Sequence, residues 1–281
     1  MNNINIIKKK FINDLSNVFS SSEIISIWNY WVIVEILKMK RIDLIKNPNL
    51  LICSRKLEQI LDLIKHLKLN KPVQYFFNYT YFKNYLIKIN KNVLIPRIET
   101  EELIDLVCEY KFKNNQISGI DIGTGSGCIS IALSKLLNVQ MYAVDYNNKI
   151  INVAKKNSLN HNTDIEFYLF DILNSEKFDL LPKADFIVSN PPYVIIDEVD
   201  KKSNIFFEPK ESIFVDKNNP LIFYKKIIKM GKYILKSNGV YFFEINPKFH
   251  DELIDYLNKL SFKKIKTHKD FFGKKRFIVV N

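Results

Sequence analysis

Apolar residues recur at helical spacing over the first 70 residues, most clearly in FINDLSNVF and LEQILDLIKHL, and this predicts a small helical domain over residues 1–70. Ser22, just ahead of Glu23, is a candidate helix cap, and Asn47-Pro48-Asn49 interrupts the periodicity. The most apolar stretch, IISIWNYWVIVEILKM at residues 24–39, is broken by Asn29 and Glu35 and is short for a bilayer, so it predicts a core helix. The pattern changes at residue 71. KPVQYFFNYTYFKNYLIKINKNVLI is rich in aromatic and β-branched residues, with turn formers at Asn78, Asn84 and Asn90-Lys91-Asn92. It predicts one or two hairpins, a β-hairpin linker over residues 71–96.

From residue 97 to 281 short apolar runs alternate with amphipathic stretches. Strands are predicted at 118–122, 140–144, 165–170, 185–189 and 239–244, and helices at 99–110, 128–137, 148–160, 219–235 and 248–260. Thr100 is a candidate cap for the first of these helices, with Glu101 and Glu102 in its first turn, where the helix dipole favours acids. Strand–helix alternation means an α/β domain with a parallel sheet covered on both faces. The tail, 262–268 and 275–280 around Phe272-Gly273-Lys274, predicts a closing hairpin and an antiparallel edge.

Apolar residues at 47% supply a sizeable core. The net charge of +12 suits an acidic partner, yet Lys, Asn and Ile are abundant everywhere and no basic run is interleaved with aromatics. The charge therefore reads as compositional bias. Cys53, Cys108 and Cys128 give neither a disulfide framework nor a metal spacing, which fits a reducing compartment. His66, His161, His250 and His268 form no close pair, so no metal is expected. MNNINIIKKKF lacks the apolar region of a signal peptide, and a cytoplasmic protein without membrane association is expected.

Chemistry concentrates at the ends of the predicted strands. DIGTGSGCIS follows the first one, with Gly123, Thr124, Gly125, Ser126 and Gly127 opening a helix. Glycines let the backbone turn sharply and let a ligand lie against it. The spacing is G-x-G-x-G, not the G-x-G-x-x-G of dinucleotide sites, and the absence of Lys argues against a triphosphate loop. The second strand ends at Asp145, about 20 residues on, where an acid can accept both ribose hydroxyls. The third ends at Asp171-Ile172, where the carboxylate or its backbone neighbour can bond an adenine amino group. Any one acid could simply solubilise a strand end. Three strands in succession ending in Asp point instead to an adenosine compound.

The fourth strand runs into Asn190-Pro191-Pro192-Tyr193. A planar amide or exocyclic amine nitrogen is a poor nucleophile because its lone pair is delocalised. The Asn190 side-chain oxygen can accept one of its N–H groups and the Pro191 carbonyl the other, favouring the pyramidal geometry of methyl transfer. Two prolines fix that carbonyl in advance, and Tyr193 offers a flat wall. An ordinary Asn-Pro turn with a packed Tyr is the plain alternative.

DIGTGSG and VSNPPY together resemble a class I S-adenosylmethionine-dependent methyltransferase acting on a planar nitrogen. LIPRIETEELI at 94–104, KPVQYFF, FEP at 207–209 and the terminal DFFGKKRFIVV resemble the HemK/PrmC family, the peptide chain release factor glutamine methyltransferases. The resemblance covers essentially the whole chain. It implies a Rossmann-like domain with a mostly parallel seven-stranded sheet, and methylation of the glutamine in the Gly-Gly-Gln motif of release factors. S-adenosyl-L-methionine, leaving as S-adenosyl-L-homocysteine, would be held by Gly123 to Gly127, Asp145, Asp171, Ile172 and Asn190. The glutamine would be held by Asn190 to Tyr193, with Asn190 and Pro191 catalytic, and the helical domain would grip the release factor, with no nucleic acid required. Asn78 and Ile98 stand where the family carries Gly and often Pro, Ile172 where some members carry an aromatic, and FEINPKF lacks the Gly after its Glu.

Two other readings compete. A nucleic-acid methyltransferase acting on an exocyclic base amine shares the Asn-Pro-Pro-Tyr stretch and fits the charge. It needs a means of extruding its base and a target-recognition region, and none is visible. A non-catalytic binder would have no need of both Asn190 and the glycine loop.

Overall fold

The computed structural model describes residues 2–47, 49–113 and 116–281; Pro48 of the expected break lies outside them. The chain forms two compact units, Met1–Phe77 with Lys202–Phe207, and Asn78–Lys201 with Glu208–Asn281. Among the described residues no helix is long and apolar enough to cross a membrane.

The first unit is helical. α1 (Ile4–Leu15) buries Ile4, Ile7, Phe11 and Leu15. α2 (Ser21–Ile27) runs into a π-helical stretch, Trp28–Ile36, which buries Trp28, Trp31, Val32, Ile33 and Ile36. The cap of α2 is Ser20, not Ser22: its hydroxyl accepts from Glu23 N while the Glu23 carboxylate accepts from Ser20 N at 2.8 Å, a reciprocal capping box. α3 (Arg41–Lys46) is short. α4 (Ser54–Lys68) buries Ile60, Leu63, Ile64 and Leu67, the spacing of a helix with one apolar stripe. α5 (Val73–Phe77) occupies the start of the segment expected to be hairpin. There the Pro72 carbonyl accepts from Tyr75 N, and Phe77 stacks on Trp31 at 4.5 Å. Packing of the aromatics outweighs their preference for strands.

The second unit opens on a single hairpin, β1 (Tyr79–Phe82) and β2 (Tyr85–Lys88). Lys83 and Asn84 form its two-residue turn with φ of 47° and 65°, the left-handed geometry that suits strand twist. Asn78 sits at φ 60°, a region that Asn tolerates and glycine fills elsewhere. α6 (Glu99–Glu109) is capped by Ile98, whose φ of −65° is the value proline would impose. Thr100 is not the cap; it lies within the first turn and spends its hydroxyl elsewhere.

Then follow β3 (Ile117–Ile122), α7 (Cys128–Leu136), β4 (Val139–Asp145), α8 (Asn148–Asn160), β5 (Ile165–Leu169) and β6 (Ala184–Ser189). α9 (Ile222–Ile234), β7 (Leu235–Glu244), α10 (His250–Lys259), β8 (Ile265–Lys269) and β9 (Lys275–Val280) complete the chain. The seven-stranded sheet has the order β5-β4-β3-β6-β7-β9-β8. Its pairs are parallel except those of β9, which runs antiparallel to β7 and β8. β7 begins earlier than its apolar pattern suggests, through a register shift opposite Ala184–Phe186.

Strand alternation sends Ile120, Ile122, Val144, Ile187, Tyr241 and Phe243 to one face, where α9 and α10 cover them. Residues of opposite parity, Phe186 and Phe242, pack edge-on against each other; beyond α6, Tyr110 packs edge-on against Phe242 and Phe112 lies tilted against Phe186. Strand order reverses between β3 and β6. At such a switch point the flanking connections leave in opposite directions and open a crevice at the carboxyl ends of the strands.

Candidate active site

That crevice is a cavity of about 250 Å³, lined by the ends of β3, β4 and β6, the turn after β5, and residues from α9. Of the positions singled out in the sequence it gathers Gly123, Gly125, Asp145, Asp171, Ile172, Asn190, Pro191 and Pro192. Thr124, Ser126, Gly127 and Tyr193 are not among its lining residues.

The glycine loop folds back over β4: Gly123 N and Thr124 N both donate to Val144 O, at 2.9 and 3.0 Å. Gly123 and Gly125 have φ of 75° and 55°; a Cβ on Gly123 would stand in open space and one on Gly125 would meet only Gly123 O, at 4.0 Å. The loop therefore presents bare backbone to the cavity. Gly127, at φ 83°, lacks such room: a Cβ there would come within 3.2 Å of Ala154 Cβ on α8, so its role is close helix packing. Thr124 is buried and donates to Asp121 Oδ2, as does Ser130, each at 2.7 Å. Asp121 Oδ1 is buried and has no hydrogen-bond partner. Burial pushes the Asp121 carboxyl up to about 6, against the pull of the two hydroxyls.

Asp145 accepts from Gly125 N at 3.1 Å and Tyr146 N at 2.9 Å, which fixes its carboxylate at the cavity wall. Burial raises it to about 6 as well, opposed by those backbone donors. Asp171 lines the cavity, and its hydrogen bonds bear on the choice between its carboxylate and its backbone neighbour. Its Oδ1 accepts from Leu173 N and Asn174 N and its Oδ2 from Asn174 Nδ2, so the carboxylate holds its own turn together. That leaves the backbone, with Ile172 and Phe170, to form the wall.

At the other end, Ser189 Oγ donates to Ile122 O at 2.7 Å and ties β6 to β3 across the switch point. Asn190 Nδ2 then donates to Thr100 Oγ1 at 2.9 Å, Thr100 Oγ1 to Glu244 Oε2 at 2.7 Å, and the Tyr193 hydroxyl to Glu244 Oε1 at 2.8 Å. Tyr224 donates to the Glu244 carbonyl at 3.0 Å. Glu244 is 1% exposed; burial pushes its carboxyl up, opposed by the Thr100 and Tyr193 hydroxyls and the Arg276 guanidinium. Tyr193 is half-buried and its hydroxyl is a donor to this carboxylate; its ring, expected as a flat wall, is not among the residues lining the cavity.

Sequence reasoning missed Thr100 and Glu244 as members of this end, although Glu244 does close a strand at the same sheet edge. It also missed Asn157, fully buried on α8, whose Nδ2 donates to Lys88 O and Ser126 O and whose Oδ1 accepts from Lys88 N. One side chain thereby joins the hairpin to the glycine loop. Arg97 is placed as a brace: its Nη2 meets Glu208 Oε1 at 2.6 Å while Glu208 Oε2 accepts from Ile95 N. This pairs the PRIETE stretch with the FEP stretch.

The profile of the methyltransferase small domain family matches residues 103–208. The release factor glutamine methyltransferase of Flavobacterium psychrophilum is 37% identical, over 98% of this chain and 97% of that protein. The enzyme of the same name from Bacteroides thetaiotaomicron is 30% identical over 88% and 89%, and that of Lactococcus lactis 33% over 82% and 84%. Among solved structures, the hMettl16 catalytic domain in complex with MAT2A 3'UTR hairpin 6 is similar at TM-score 0.52 and 18% identity over 81% of each chain, a likeness of fold alone.

Proposed function

The chain belongs to the release factor glutamine methyltransferases, and we propose that it methylates the side-chain amide nitrogen of the glutamine in the Gly-Gly-Gln motif of peptide chain release factors, supporting translation termination. S-adenosylmethionine, when bound, supplies an electrophilic methyl group on a sulfonium. The residues present suit it. Gly123 and Gly125 present bare backbone to the cavity, Asp145 offers a fixed carboxylate for ribose hydroxyls, and Phe170 and Ile172 give an apolar wall for a base. Asp121 Oδ1 is a spare acceptor at the root of the loop.

The observation that carries the reading is the Asn190 amide. Its Nδ2 is committed to Thr100, so its Oδ1, on the other branch of a planar group at the cavity, is the end left to accept a substrate N–H. Pro191, with no N–H of its own and a fixed φ, presents a second acceptor, its carbonyl. Two acceptors orient a glutamine nitrogen without a strong base, and the low-dielectric cavity strengthens both contacts. Tyr193 acts behind this pair, through Glu244.

The test is transfer from labelled S-adenosylmethionine to purified release factor, to the same factor with its Gly-Gly-Gln glutamine replaced, and to bulk RNA and DNA. Label on the intact factor alone is expected. Label on nucleic acid with the factor silent would overturn the reading in favour of a base amine.

A further inference from the structure

We infer that Thr100 and Glu244 are positioning residues for methyl transfer: the Glu244 carboxylate directs the Thr100 hydroxyl, and that hydroxyl fixes which end of the Asn190 amide faces the substrate. The inference rests on the glutamine reading only in that Asn190 must accept a substrate N–H.

Proton counting makes the argument. A threonine hydroxyl has one hydrogen and two lone pairs. Glu244 Oε2 lies 2.7 Å from Thr100 Oγ1. Glu244 also receives the Tyr193 hydroxyl on its other oxygen, so both carboxylate oxygens act as acceptors. The Thr100 hydrogen therefore points at Glu244, and its lone pairs face Asn190 at 2.9 Å. Only the Nδ2 end of the amide can meet a lone pair there; the Oδ1 end would set oxygen against oxygen.

Carboxamide ends are nearly the same size, so packing alone does not choose between them. A half-turn about the last torsion of Asn190 would exchange an acceptor for a donor in front of the substrate nitrogen. It would then confront N–H with N–H. The energy separating the two states comes from Thr100, and the sense of Thr100 comes from Glu244. The chain of contacts spans three elements, α6, the turn after β6 and the end of β7, and all four side chains are buried or half-buried. Glu244 is itself held by the Tyr224 hydroxyl on its carbonyl, and Asn246 Nδ2 holds the Tyr193 carbonyl, so the anchor is braced from two further directions. Valine at Thr100 would fill nearly the same space but leave Asn190 Nδ2 and Glu244 Oε2 without this partner; a buried hydroxyl between an amide and a carboxylate serves orientation.

The test compares Thr100→Val, which keeps the shape and removes the hydroxyl, with Thr100→Ser, which keeps the hydroxyl. Wild type, both variants and Glu244→Gln are assayed with labelled S-adenosylmethionine, alongside cofactor dissociation constants by titration. Expected is a fall in kcat of roughly 10- to 100-fold for Thr100→Val, restored to within about threefold by Thr100→Ser. Cofactor affinity should stay within about twofold in both, since Asp145 and the glycine loop are untouched. Glu244→Gln should lower kcat in the same sense, because its amide can offer Thr100 a donor and reverse the relay; it also serves if Thr100→Val does not fold. Full kcat in Thr100→Val, or equal losses in Val and Ser, would overturn the inference, as would a loss confined to cofactor affinity. Failure of the glutamine reading is visible separately, as wild-type label absent from the release factor; the variants are then compared on whichever acceptor the wild type labels.

Discussion

The two ends of the cavity are built in opposite ways. The glycine-loop end is local. Its donors and acceptors come largely from Asp121 to Ser130, and its more distant partners, Val144, Asp145 and Asn157, all lie within 31 residues of the loop residue they bond. The Asn190 end is assembled from afar: Thr100 is 90 residues away and Glu244 a further 144 from Thr100. A ligand that lies against backbone needs freedom from side chains, and glycine supplies that within one turn. An acceptor that must present one atom of a two-ended group needs partners from several directions, and only tertiary structure brings them. The difference predicts where damage shows: in affinity at one end, in turnover at the other.

The largest effect should come from Asn190→Ala. It removes the acceptor for the substrate N–H and leaves the glycine loop and Asp145 in place, so cofactor affinity should change little. Loss of one preorganised partner of this kind costs about 10²- to 10³-fold in kcat. Single-turnover label transfer together with cofactor titration checks the split. Retained kcat would detach Asn190 from the chemistry and erase the contrast between the ends.

Asp145→Ala should act the other way. Hydrogen bonds to a charged group contribute about 1.5–3 kcal/mol, so cofactor affinity should fall by roughly 10- to 100-fold while kcat at saturation changes little. An unchanged dissociation constant would move the ribose site away from β4. Acid sharpens the same point. The Asp145 carboxyl titrates near about 6, above its ordinary 3.8, because it is buried. Its ionised form, which hydroxyl donors select, is complete above that value and is lost as pH falls through it. Affinity should therefore be flat at neutral pH and weaken about tenfold per unit below the titration point. Asp145→Asn should remove that slope; a slope that persists would assign it to Asp121, which titrates in the same range.

What was legible in the sequence follows this division. Apolar runs marked the strands of the sheet except β8, IKTHK, which was legible only as one arm of the closing hairpin, and the loop, Asp145 and Asn190 stood at strand ends where the topology opens a crevice. Asp171 stands at the expected wall, and of the two alternatives there, carboxylate or backbone neighbour, its turn bonds leave the backbone; an Asp can bond the amides two and three residues on, and the sequence does not tell whether it will. Thr100 was read as a cap by a sound local rule; its hydroxyl answers instead to a glutamate more than a hundred residues away. The Tyr193 ring is legible as a flat wall beside Asn190, but the partner of its hydroxyl, that same glutamate, is not. Asn157 gave no signal at all, since a buried amide bridging β2 to the loop looks in sequence like any polar residue of a helix.

The smallest predicted effect tests whether backbone rules hold next to the site. Ile98 is 65% exposed and sits at φ −65°, where the family often carries proline, and its side chain makes no cap contact. Proline there matches the folded geometry and restricts the unfolded chain, so Ile98→Pro should stabilise by about 0.4–1 kcal/mol. Kinetics should not move, because Thr100 enters the relay through its side chain and the start of α6 keeps its course. Thermal unfolding and the labelled assay read the two quantities independently. A raised midpoint with unchanged kcat would mean that the linker is set by local backbone preference and the relay by side chains. A fall in kcat would mean that the position of α6 is itself part of how Asn190 is aimed, and the line between local and long-range construction would then run through the linker instead of between the two ends of the cavity.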